Sequence, residues 1–67
     1  MKTLIARWET RGGKYWLELY KDESGYTYKQ EHGGGNIGTL DSKIAMDTME
    51  RHISYSKMDG INLKRVK

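Results

Sequence analysis

Sixty-seven residues with a net charge of +3 and no cysteine leave room for one small domain, residues 1–67, and exclude a disulfide-stapled or thiolate-metal scaffold. Two histidines are too few for a conventional structural zinc site, and no apolar run approaches the roughly 20 residues of a membrane span. A chain this short buries only about 60% of its unfolded surface. Its core must therefore lean on Trp8, Trp16 and five tyrosines, whose polar edges want a partner or water.

A core built from such rings leaves some of them partly exposed, so self-association or a protein partner is expected to complete their burial. The N-terminal stretch Met1–Trp8 opens like a signal peptide but meets Arg7 too early for an apolar region of about 7–15 residues, so a soluble, cytoplasmic location is expected. Basic and acidic side chains cancel across residues 1–56. The whole excess sits in residues 57–67, where Lys57, Lys64, Arg65 and Lys67 outnumber Asp59. A basic tail on a neutral body is a weaker signal for nucleic acid than a basic body.

In chain order, Lys2–Glu9 alternates as a strand, with Leu4, Ala6 and Trp8 on one face and Ile5, Arg7 and Glu9 on the other. Arg11-Gly12-Gly13-Lys14 reads as a hairpin turn. Tyr15–Lys21 is the clearest strand, setting Tyr15, Leu17 and Leu19 against Trp16, Glu18 and Tyr20. Asp22-Glu23-Ser24-Gly25 is a second turn, and Tyr26–Glu31 a third strand. Four glycines among His32–Gly38 predict a flexible loop without regular structure. Asp41 or Ser42 caps a helix of about four turns that ends near Ser56, with Ala45, Met46, Met49 and Ile53 on its apolar stripe and Asp47, Glu50, Arg51 and Ser54 opposite. After Asp59-Gly60, residues 61–66 form either a short fourth strand or a loose basic tail.

The expected fold is α+β: a three-stranded antiparallel meander packed against one C-terminal helix, in the order β-β-β-α, since neither layer buries its apolar side alone. Leu4, Ala6, Trp8, Leu17, Leu19, Tyr26 and Tyr28 face the helix. The opposite face displays Arg7, Trp16, Tyr20 and Lys29 among Ile5, Glu9, Glu18, Thr27 and Glu31, a small aromatic patch of the sort that marks a contact surface.

Two motifs look like chemistry. Gly33-x-Gly35-x-x-Gly38 matches a dinucleotide fingerprint, but its glycines do not open the helix and the strand before it is too polar for a buried parallel strand. His32-Gly33-Gly34-Gly35 matches an oxyanion-hole loop, but no G-x-S-x-G nucleophile elbow accompanies it. Both read as structural punctuation, a hinge between the meander and the helix. No cofactor, metal or catalytic residue is expected, and the chain is read as non-enzymatic.

The segment Gly13-Lys14-Tyr15-Trp16-Leu17-Glu18-Leu19-Tyr20, followed by Gly38-Thr39-Leu40-Asp41-Ser42-Lys43, resembles the arm-type DNA-binding domain of phage and transposon integrases over residues 13 to about 53. The resemblance implies DNA reading by the sheet face away from the helix, at Arg7, Trp16, Glu18, Tyr20, Thr27 and Lys29. The sequence departs from the family there, because Glu9, Glu18 and Glu31 outnumber Arg7 and Lys29. In general class the chain also resembles small phage-encoded inhibitors, including anti-CRISPR proteins, which occupy a host protein surface without catalysis. The expected function is therefore a protein-binding module, an inhibitor of that class, contacting its partner through Trp16, Tyr20, Arg7 and Lys29. The alternative is DNA or RNA binding through the sheet face, Arg11, Lys14 and the tail residues Lys64, Arg65 and Lys67.

Overall fold

The computed structural model describes residues 1–67 and contains five strands and one helix. The strands are β1 (Thr3–Glu9), β2 (Trp16–Asp22), β3 (Gly25–Gln30), β4 (Gly33–Asn36) and β5 (Lys64–Arg65); the helix α1 spans Ser42–Met58. They form one antiparallel sheet in the order β4-β3-β2-β1-β5. The fold is α+β as expected, with the helix covering one face of the meander. No helix is long and apolar enough to cross a membrane.

Both turns lie where the sequence places them. In the first hairpin Thr10 N–H donates to the Tyr15 carbonyl at 2.9 Å, while the Thr10 hydroxyl accepts from Tyr15 N–H at 3.2 Å, so one threonine closes the base of the loop twice. In the second, the Asp22 carboxylate accepts from the backbone N–H of Ser24 at 2.9 Å and from its hydroxyl at 2.7 Å. Gly25 follows at φ 132°, and a β-carbon there would lie 2.7 Å from the Thr39 carbonyl oxygen. That carbonyl instead accepts from Tyr26 N–H at 3.0 Å, which ties the segment entering the helix to the start of β3.

Two expectations about the sheet are corrected. Gly33–Asn36 is a strand and not a loop: Gly33, Gly34, Gly35 and Asn36 pair with Gln30, Lys29, Tyr28 and Thr27. Glycine has no side chain with which to announce a strand, and this one is held wholly by its neighbour. A β-carbon on Gly34 would sit 2.2 Å from the Tyr28 carbonyl oxygen, and one on Gly35 would press on the Tyr28 ring at 3.1 Å. The bare backbone is what permits the approach.

The second correction concerns β1. Thr3 and Leu4 pair with Lys21 and Tyr20, but Ala6 pairs with Leu19, so Ile5 is an extra residue in a β-bulge. The extra residue exchanges the faces on its N-terminal side. Leu4 lies with Tyr20 on the face away from the helix, and Ile5 packs against the core.

The core consists of Ala6, Trp8, Leu17, Leu19 and Tyr26 from the sheet and Ala45 and Met49 from the helix. Met46, Ile53, Tyr28, Ile37 and Leu63 seal its margin. The apolar stripe of the helix is the one that its spacing predicts, and Asp47, Glu50, Arg51 and Ser54 are exposed. Asp41 caps the helix, its Oδ1 accepting from Lys43 N–H at 2.8 Å. The helix runs a little beyond the expected Ser56. It ends in a Schellman arrangement, in which Ile61 N–H donates to Ser56 O at 2.9 Å and Gly60 N–H to Lys57 O at 3.0 Å. The chain then returns along β1, pairing Lys64 with Glu9 and Arg65 with Trp8, so the C-terminal segment forms a short strand.

Candidate functional site

The face of the sheet away from the helix has no layer over it. Antiparallel register brings Glu9 beside Trp16, Arg7 beside Glu18, Glu18 beside Lys29, and Tyr20 between Leu4 and Thr27. Side chains far apart in sequence thus become neighbours on one surface, and they bond to one another. The Arg7 guanidinium lies 5.1 Å from the centroid of the Trp16 ring and forms ion pairs with Glu18 and, at 3.2 Å, with Glu9. Tyr20 donates its hydroxyl to Glu18 Oε1 at 2.7 Å. The Lys29 ammonium stands 5.5 Å from the Tyr20 ring centroid. All four expected partner-binding residues, Trp16, Tyr20, Arg7 and Lys29, therefore share one network with Glu18 at its centre.

The electrostatics follow from that centre. The hydrogen bond to Glu18 holds the Arg7 pKa above its ordinary value, reinforced by the bond to Glu9 and opposed by desolvation. Donation to the same carboxylate raises the Tyr20 phenol, because ionising it would lose the bond and set two negative charges side by side; partial burial adds to the shift. Trp16 and Tyr20 differ from expectation in one respect. They are half-buried and not freely exposed, because Arg7 and Lys29 lie across them. Beside Lys29 and Thr27 the side-chain-free backbone of β4 leaves a hollow of about 420 Å³, a feature that depends on the unforeseen glycine strand.

The residues expected to contact nucleic acid separate into two groups. Arg11, Lys14 and Lys64 line one groove of about 1060 Å³, between the first hairpin loop, the end of the helix and the C-terminal segment. Arg65 and Lys67 lie elsewhere: the Arg65 guanidinium sits 5.8 Å from the Trp8 ring centroid, and the Lys67 ammonium donates to the Leu4 carbonyl at 3.4 Å. Lys57, which sequence reasoning did not single out for binding, joins the groove from the last helical turn.

The two histidines are not brought together. His32 is exposed in the β3–β4 turn, and His52 packs its ring on Tyr28 with centroids 5.2 Å apart. No group of three or more His, Asp or Glu side chains is placed to hold a metal ion. Comparison with protein-family models, curated proteins and solved structures finds no match for this chain.

Proposed function

We propose that this chain is a non-enzymatic protein-binding module, acting as an inhibitor does by occupying a partner's surface through the uncovered sheet face. The observation that carries this reading is the network of Arg7, Trp16, Glu18, Tyr20 and Lys29. Trp, Tyr and Arg are the residues that most often dominate binding energy at protein interfaces. Here each is already held by a neighbour, so little side-chain entropy remains to be lost on binding. The hollow beside Lys29 offers a partner's side chain a place to insert. The same face suits phosphate poorly, because Arg7 is engaged by Glu9 and Glu18 and no excess of positive charge is left.

The test is affinity capture followed by direct titration of the purified partner against wild type, Trp16→Ala and Lys29→Glu. The expected result is a loss of at least about tenfold in affinity for each variant, as interface anchors show. Circular dichroism should show that both variants remain folded. A partner that binds both folded variants as tightly as wild type would remove this face from consideration.

A further inference from the structure

The groove beside the first hairpin loop has a character that the sheet face lacks. Arg11 and Lys14 reach it from the hairpin loop, Lys57 from the helix end and Lys64 from β5. All four are exposed, and none forms an ion pair within the chain. The one carboxylate on the rim, Glu9, bonds Arg7 and stands opposite Lys64 across the strands, which leaves Arg11, Lys14 and Lys57 in excess. Between the cations lies an aliphatic lining of Ile53, Ile61 and Leu63, each half-buried at the margin of the structure.

We propose that this groove is a second binding site, for an extended acidic peptide segment that carries aliphatic side chains. Charge complementarity selects an anion, since four cations line the groove against a single carboxylate, Glu9. Their placement on three separate elements suits a chain with several carboxylates better than a single anionic head. At about 1060 Å³ the groove also matches the upper end of the roughly 300–1,000 Å³ range of small-molecule pockets, and it is open enough to pass a segment through. The lining distinguishes peptide from nucleic acid. Single-stranded nucleic acid is held by bases stacked on aromatic faces. The one ring here, Tyr15, has the Lys14 ammonium 5.5 Å from its centroid, and the rest of the apolar lining is aliphatic.

Fluorescence anisotropy at about 50 mM salt, where exposed charges are weakly screened, tests the proposal. The probe is a labelled peptide alternating glutamate with leucine, compared with one alternating glutamine with leucine and with an oligothymidylate of equal length. The glutamate peptide should bind best of the three. The double variant Lys14→Glu, Lys64→Glu should weaken it by about tenfold or more, and Lys57→Gln by a few-fold. Lys43→Glu, which changes the charge of an exposed residue outside the groove, should leave it within about twofold. Each charge variant is checked by circular dichroism, and Lys57→Gln supplies the reading if the double variant does not fold. No saturable signal below about 1 mM, equal binding of the glutamine peptide, tighter binding of the oligothymidylate, or an equal loss in Lys43→Glu would each overturn the proposal.

Discussion

The guanidinium of Arg7 lies 5.1 Å from the centroid of the Trp16 ring, held there by carboxylates from its own strand and from the neighbouring one. Arg7 and Glu18 are opposite one another across β1 and β2, and Trp16 is opposite Glu9, so the contact is diagonal on the sheet. Glu18 is the more enclosed of the two carboxylates, with its side chain 13% exposed against 34% for Glu9.

That difference predicts unequal losses on neutralisation. Glu18→Gln should destabilise the fold by about 1–2 kcal/mol, because Arg7 and Tyr20 both lose a charged acceptor in a partly desolvated site. Glu9→Gln, near the solvent-screened limit, should cost about 0.5 kcal/mol or less. Urea denaturation of the two variants at neutral pH measures both, and equal losses would show that Glu18 is not the centre of the network.

Tyr20 predicts a pH dependence with a definite sign. Its phenol titrates above the ordinary value in the folded chain, so the folded state keeps the proton longer than the unfolded one. The stabilisation is therefore fully present below the unfolded pKa of about 10 and is lost as pH rises through the folded value. Spectroscopic tyrosinate titration of wild type and Tyr20→Phe should show that the substitution removes a phenol ionising above the ordinary value. Loss of an early-ionising component would contradict this.

Gly34→Ala should be among the most damaging single-methyl additions in the chain. The new carbon meets the Tyr28 carbonyl, a backbone atom that cannot swing aside, so β4 must move away from β3. A loss of about 2–3 kcal/mol is expected, as for other additions of volume at a close contact. Hydrogen exchange should show protection lost selectively in Gly33–Asn36 while β1 and β2 keep theirs. A variant as stable as wild type would mean that the glycines serve as a hinge and not as a strand.

Asp41→Ala removes the acceptor for Lys43 N–H and should cost about 1 kcal/mol, with Asp41→Asn recovering most of it. Thermal unfolding followed by circular dichroism compares the two. An asparagine variant no better than alanine would place the effect in charge and not in capping.

Much of this architecture is carried by local chemistry and is legible in the residues themselves. Asp22 and Ser24 build their turn from their own side chains, Asp41 caps the helix from the adjacent position, and Ala45, Met49 and Ile53 mark the buried stripe by spacing alone. The alternation of Trp16, Glu18 and Tyr20 against Leu17 and Leu19 separates the two faces of β2 because side-chain period follows backbone pleat. What depends on a second segment is absent from any one stretch. The glycine strand exists because Tyr28–Gln30 lies beside it, and the bulge at Ile5 is an offset between two strands that neither carries alone. The joining of Lys57 and Lys64 to Arg11 and Lys14 around one groove requires the helix to end where it does and the chain to return along β1. Sequence alone determined which segments become strands, turns and helix wherever side chains signal their state. Only the tertiary structure decided which charges and rings meet, because proximity across strands is set by register and closure, which are properties of pairs of segments.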